Sequence, residues 1–249
     1  DPATGKQVFV DSKAEHVQGL RNILNDMSTN TGLRRVLFGD SAFDFNRHLK
    51  EGGLLVVNTA KGQLNKLSGV LGKIVLMSLQ SASYRRIPDV SPLHSLVVDE
   101  FPDYLYEDYR SFPVQSRKYQ ISITNIIQTT SQLAGRYGEH YMTTLLAGMR
   151  NKMIYSDVPA YDAEYFSRQF GEEVYYEERV TETEDSLFSS SHTGQATSRS
   201  YSRKREEAFR PSELIYQDVL TCTVKLVYGN KTMPAERINE GIQPHGIGV

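Results

Sequence analysis

Sulfur and net charge are both scarce in this 249-residue chain: it has one cysteine, and 28 lysines and arginines face 30 aspartates and glutamates for a formal charge of −2. A lone Cys222 excludes an internal disulfide and any cysteine-built zinc site, which suits a reducing compartment. It stands between Thr221 and Thr223 in a strand-like run and reads as buried filler. Near-balanced charge removes any global electrostatic signal for nucleic acid or anionic membranes, so such a contact must come from a local patch. Long apolar runs are missing as well. Gly53 to Val57 and Ile121 to Ile127 are strand-sized, far short of the ~20 apolar residues of a spanning helix. His16, His48, His94, His140, His192 and His245 are scattered with no H-x-x-x-H pair, so no transition-metal site is expected. A G-x-S-x-G elbow is absent too, which disfavours a serine hydrolase of that type.

What is present is an ordinary globular composition, 39% hydrophobic and 23% charged, without an internal repeat. The chain starts at Asp1 with no signal-like segment and reads as a piece of a longer protein. Val17, Leu20, Ile23, Leu24 and Met27 recur at helical spacing, and Leu33, Val36 and Leu37 suggest a second short helix, so residues 1–50 read as a helical segment. After Gly52-Gly53, the run Leu54 to Val57 reads as a buried strand and Leu64 to about Arg86 as a helix. Ser95 to Val98 is the next strand, Tyr104 to Lys118 a helix, and Ile121 to Ile127 a further strand ending at Gln128. Thr143 to Met149 reads as a helix, Lys152 to Tyr155 as a strand, and Asp162 to Phe170 as a helix stopped by Gly171. This alternation predicts an α/β core over 51–249 with a largely parallel sheet covered on both faces. Residues 172–207 break the pattern with acids, a Ser/Thr-rich run over 186–202 and then Arg203-Lys204-Arg205, and read as an exposed, flexible insertion. The basic triplet itself reads as a solvated helix start. A helix starting near Pro211, a strand from Thr221 to Tyr228, a turn at Gly229-Asn230 and a return strand through Ile238 follow, with a frayed tail over 240–249.

The chemistry concentrates in Leu96-Val97-Val98-Asp99-Glu100-Phe101. An apolar strand ending in adjacent carboxylates is how P-loop ATPases present their Walker B acids: Asp99 would hold the shell of a Mg2+ ion and Glu100 would orient the attacking water. Any buried strand can also end in acids at its exposed edge. Such an enzyme needs a γ-phosphate sensor and a cation for the charge that builds in the transition state, and Gln128 and Arg117 suit those tasks. Equally, Arg117 and Lys118 suit a helix end and Gln128 a turn. Tyr104, Tyr106, Tyr109, Tyr119, Tyr137 and Tyr141, interleaved with Arg110, Arg117, Lys118 and Arg136, read first as cover for a sheet edge or subunit interface and second as a DNA channel.

The blocks LVVDEF (96–101), QSRKY (115–119), QTTSQL (128–133) and GGLLVVNTAKG (52–62) resemble the C-terminal half of conjugative type IV coupling proteins, the TraG/TraD family, and the likeness extends from EHVQGLRNIL (15–24) to MRNKMIY (149–155). The resemblance implies a RecA-like P-loop NTPase core, preceded by part of an inserted helical domain. It implies a hexamer at the cytoplasmic side of the cell membrane that spends ATP, with Mg2+, on passing DNA or a relaxase-DNA complex to a type IV secretion channel. It assigns Asp99 and Glu100 to the Walker B acids, Arg117 to a residue acting across the subunit interface, and Gln128 to the phosphate sensor. The chain departs from the family in one respect: no G-x-x-x-x-G-K-[ST] loop is present to cradle phosphates. Gly5-Lys6-Gln7 has the wrong third residue, and Thr59-Ala60-Lys61-Gly62 lacks the required glycines. The chain alone is therefore expected to bind ATP poorly and to turn it over negligibly. A related type IV secretion ATPase and a non-catalytic adaptor that binds relaxosome or channel partners are the alternatives.

Overall fold

The apolar spacing from Val17 to Met27 becomes α1 (Ala14–Thr29), and Asn30 both ends it and caps α2 (Thr31–Leu37), its side-chain oxygen accepting from the Leu33 amide at 3.0 Å. Asp44 caps α3 (Phe45–Glu51) in the same way, accepting from the amides of Asn46 and Arg47, and those bonds hold its carboxyl below the usual carboxylate range. These helices belong to the computed structural model of the chain, which describes residues 13–40, 43–183 and 196–239. The chain divides into two units, Asp1–Ile127 and Gln128–Val249.

In the first unit a four-residue turn, α4 (Lys61–Leu64), leads into the long α5 (Lys66–Tyr84). Met27 and Leu33 pack on Leu71 of α5, which joins the amino-terminal helices to the rest of the unit. Next comes β1 (His94–Val98), and β2 (Ile121–Asn125) lies beside it in parallel, with His94 opposite Ile121 and Val98 opposite Asn125. The expected helix from Tyr104 to Lys118 is replaced by short pieces: 3-10 turns at Phe101–Tyr104, Glu107–Ser111 and Arg117–Tyr119, and α6 (Phe112–Ser116) between the last two. Pro113 explains the break, because a proline inside a helix loses a hydrogen bond and clashes with the carbonyl four residues back, whereas the first turn tolerates it. Each piece buries aromatic rings. Phe101, Tyr109 and Phe112 are fully buried, with Phe101 and Tyr109 centroids 4.6 Å apart.

The second unit contains α7 (Ser131–Tyr137), α8 (Glu139–Gly148), β3 (Lys152–Tyr155) and α9 (Ala160–Phe170), which stops at Gly171 with a φ of +94° that side-chain-bearing residues rarely adopt. The insertion follows as β4 (Glu172–Thr183) and β5 (Ala196–Glu207), then α10 (Pro211–Ile215), β6 (Thr221–Lys225), β7 (Val227–Tyr228), β8 (Lys231–Thr232) and β9 (Glu236–Asn239). Buried β6 is the centre of a three-stranded sheet, with β3 and β9 antiparallel on either side. Phe166 and Phe170 of α9, Leu214 of α10 and Ile154 of β3 form an apolar cluster in this unit.

Three further expectations require correction. The sheets are small and mostly antiparallel; among the described residues β1 and β2 are the parallel pair. Strands alternating with helices leave direction open, and the tight Gly229-Asn230 turn sends β9 back against β6. The run Leu54 to Val57 forms no strand ladder, and Leu54 and Val56 are 89% and 78% exposed. Of the run only Leu55 is half-buried. Finally, the basic triplet is not a helix start but lies within β5, where Arg203, Lys204 and Arg205 face Tyr176, Tyr175 and Val174 across a ribbon. Lys204 pairs with Glu177 at 2.8 Å, so alternating charge is satisfied across strands. Residues 184–195, most of the Ser/Thr-rich run, and the tail from 240 lie outside the described residues, as does Gly5-Lys6-Gln7.

Gly72 is the closest approach inside the first unit: a Cβ there would fall on the Tyr104 ring. Gly72→Ala is expected to lose about 1–2 kcal/mol, because overpacking outweighs the ~1 kcal/mol gained in helix propensity. Urea unfolding of the two chains checks this, and a stabilised variant would mean that the ring can move away freely.

Candidate functional site

The end of β1 sets the geometry of the candidate site. Ile126 donates to the Val98 carbonyl at 2.9 Å and Phe101 donates to the Ile126 carbonyl at 3.1 Å, so the chain is stitched to the end of β2 on both sides of the acids. Between these bonds Glu100 takes a left-handed conformation, φ 48° and ψ 38°, which a residue with a Cβ adopts at a cost of roughly 1–2 kcal/mol. The Asp99 carboxylate accepts the Glu100 amide at 2.9 Å, and the Glu100 carbonyl accepts the Asp103 amide at 3.0 Å. Tyr109 donates to the Asn125 side chain at 2.9 Å beneath them. Asp99 and Glu100 therefore stand together, exposed, at the carboxyl end of a parallel strand pair, as the sequence reading expected.

A cation that sequence reasoning passed over lies beside them. Lys61 pairs with Asp103 at 2.6 Å, and its ammonium is held above the usual lysine range by that hydrogen bond, then by the charges of Asp103 and Glu100. Thr59 and Tyr104 share a hydroxyl hydrogen bond at 2.8 Å, which fixes the segment bearing Lys61 to the turn after β1. The sequence signal was available: Lys61 comes four residues after the run Leu54 to Val57, at a position that fails the phosphate-loop pattern but still offers a cation. A cleft of about 580 Å3 runs between this segment, α5 and β1, with Thr59, Lys61, Asp99 and Glu100 at one end and His48 and His94 at the other. The two imidazoles touch edge to face at 5.2 Å, and burial, followed by the charges of His48 and Arg86, keeps His94 below the ordinary histidine range.

Arg117 lies elsewhere in the unit. It begins the turn that enters β2 at its amino end, where Lys118 and Gln120 carbonyls accept from Asp89 and His94, and it is exposed. A five-residue strand, roughly 16 Å at ~3.3 Å per residue, separates that end from the acids. Gln128, three residues beyond β2, opens the second unit, where its amide donates to the Gln132 side chain at 3.4 Å. Two residues later Thr130 is anchored: Asp162, buried in the first turn of α9, accepts its amide at 3.0 Å and also its hydroxyl. Of the tyrosines read as cover for a sheet edge or subunit interface, or as a DNA channel, Tyr104, Tyr109 and Tyr141 are buried within the fold, as cover would be. Among the described residues no group of three or more His, Cys, Asp or Glu side chains could hold a metal ion, and no helix is long and apolar enough to cross a membrane.

An α/β chain whose acids crown a parallel strand pair defines a class; comparison with known proteins supplies the family. The profile described as the TraM recognition site of TraD and TraG matches residues 94–218, half of the chain, and the chain belongs to that family. Among curated proteins the sequence comparison finds no match. Among solved structures, the fold is similar to the bacterial conjugative coupling protein TrwBdeltaN70 in its unbound monoclinic form, at 20% identity and a TM-score of 0.71. It is similar also to the plasmid coupling protein TrwB in complex with the non-hydrolysable ATP analogue ADPNP, at 19% and 0.65, and in complex with ADP and Mg2+, at 18% and 0.64. Each match covers 95% of this chain and 51% of the other, so the chain spans about half the length of the solved structures it matches.

The left-handed backbone at Glu100 gives a test of whether its side chain serves the fold. Glu100→Gly is expected to raise stability by about 0.5–1 kcal/mol, since glycine removes the Cβ penalty. A loss of more than that in urea unfolding would give the carboxylate a structural task.

Proposed function

We propose that this chain is the Walker B half of a conjugative coupling ATPase with a RecA-like P-loop core, in which Asp99 and Glu100 act on ATP and Mg2+. The observation that carries the reading is the pair of solvent-facing carboxylates fixed at the carboxyl end of β1 by the bonds to Ile126 and Val98. The donor set suits magnesium, which keeps most of its waters and takes one or two carboxylates together with substrate phosphates. Asp99 would hold that hydrated ion. Bound there, magnesium neutralises charge on the phosphate oxygens. Glu100 orients the attacking water and accepts its proton. Gln128 reports on the terminal phosphate. Arg117 begins at the far end of β2 from the acids of its own chain, which favours service to a neighbouring subunit's site in a ring, a hexamer by family resemblance. Lys61, beside Glu100 and Asp103, adds a positive charge at the same end of the cleft.

The phosphate cradle must come from elsewhere, and the apolar face of Leu54, Val56 and Val97 beside the acids suits the remainder of a protein about twice as long. In the working assembly, at the cytoplasmic side of the membrane, hydrolysis would drive DNA or a relaxase-DNA complex into a type IV secretion channel. The family's description as a TraM recognition site supports a relaxosome-side partner. The missing phosphate loop favours one rival, an adaptor that keeps the sheet and binds partners without turnover.

In the protein with its phosphate-binding half, Glu100→Gln is expected to leave nucleotide affinity within about threefold and to cut turnover at least ~100-fold. Undiminished turnover removes Glu100 from its role, and no thermal stabilisation by magnesium-ATP in that same complete protein hands the lead to the adaptor. Arg117→Ala should cost about 10³-fold in turnover, as loss of an arginine finger does. Mixing the two inactive variants should restore part of the rate; mixtures that stay silent would place Arg117 outside the neighbour's site.

A further inference from the structure

A second cleft, of about 460 Å3, lies wholly within the second unit, between the end of α8, α9 and the strands β3, β6, β7 and β8. Arg150, Lys152 and Lys225 line it, and no carboxylate does. In a chain with more acids than bases, three cations without a counter-charge in one concavity is a local departure from composition. No ion pair links any of the three to an acid among the described residues.

Two of the cations are held in place. The Lys152 ammonium donates to the carbonyls of Leu146 at 3.0 Å and Met149 at 2.7 Å, which close the last turn of α8. Lys225 donates to the carbonyl of Gln169 near the end of α9. A lysine ammonium has three donors, so each keeps at least one for a ligand, and the exposed Arg150 adds a planar fork. Burial first, and the charge of Lys225 second, lower the Lys152 pKa to about 8. Thr143 and Thr232 add hydroxyls to the lining.

We propose that Arg150, Lys152 and Lys225 form an oxyanion pocket that takes a phosphate group. Two sources share that chemistry, the backbone of single-stranded nucleic acid and a small free phosphate. The pocket is made entirely of second-unit residues and is independent of the nucleotide reading of Asp99 and Glu100, so either can fail alone.

The test uses the full 249-residue chain, with a fluorescent oligothymidylate followed by anisotropy and inorganic pyrophosphate followed by calorimetry, both at fixed ionic strength. Arg150→Gln and Lys225→Gln are expected to weaken binding of whichever probe occupies the pocket about tenfold each, as loss of a charge-assisted hydrogen bond does. Arg168→Gln, on an α9 residue outside the cleft that pairs with Glu164, should leave binding within twofold. For the single-stranded oligonucleotide, the dependence of log affinity on log salt should also become shallower by about 0.7 unit per cation removed. Loss confined to the oligonucleotide identifies a nucleic-acid backbone, and loss confined to pyrophosphate a free phosphate. Binding of both probes unchanged within twofold in both variants, or equal loss in Arg168→Gln, overturns the proposal. Lys152, partly buried and bonded to two carbonyls, is left intact so that folding does not confound the result.

Discussion

The left-handed turn at Glu100 is the constraint on which the first unit depends. A strand that continued straight would carry its acids away from the sheet; one that curled at once into helix would turn them inward. The turn allows Phe101 to drop into the core while Asp99 and Glu100 stay in solvent. Burial of a phenylalanine side chain contributes ~2–3 kcal/mol, which exceeds the roughly 1–2 kcal/mol cost of the backbone at Glu100. Bonds from Ile126 to Val98 and from Phe101 to Ile126 then make the geometry a property of both strands, and Tyr109 ties the same corner to Asn125.

Most of the helices and strands were legible because their signals are local. The spacing of Val17 to Met27, the Val/Leu run before Asp99, the glycine after Phe170 and the turn at Gly229-Asn230 each specify an element without reference to anything distant. The misreadings share a cause, which is that the deciding partner is remote or absent. Leu54 to Val57 has the composition of a buried strand, yet it joins no ladder among the described residues and only its Leu55 is half-buried. The segment after Phe101 has helical composition, but Pro113 and the need to bury Phe101, Tyr109 and Phe112 in one place divide it into short turns. Strand direction was illegible in principle, because alternation of elements says how many crossings there are and not which way each returns.

The candidate site was legible in its acids and illegible in its surroundings. Asp99 and Glu100 are adjacent in sequence and end an apolar run, so one window contains the whole signal. Lys61 reaches the same corner from far earlier in the chain through the Asp103 pair and the Thr59 to Tyr104 bond, and no window contains both partners. Asp162 likewise governs the residues after Gln128 from the next helix but one, through the Thr130 amide and hydroxyl. Side chains that position others are recognised by what they touch, and contact is what a linear reading omits.

Net charge illustrates the same limit in electrostatic form. A balance of −2 excludes a protein that attracts phosphate over its whole surface, yet at physiological salt, fields between exposed charges fade over about 8 Å. Each cleft is then its own electrostatic neighbourhood, and the total says little about any one of them. In the first unit Lys61 stands beside Asp103 and Glu100 at the acidic end of the cleft; the second gathers Arg150, Lys152 and Lys225 with no acid in the lining. The two clefts therefore differ in sign, the first acid-rich and the second cationic. The two summed charges nearly cancel in the composition, and the cancellation conceals their separation into different clefts.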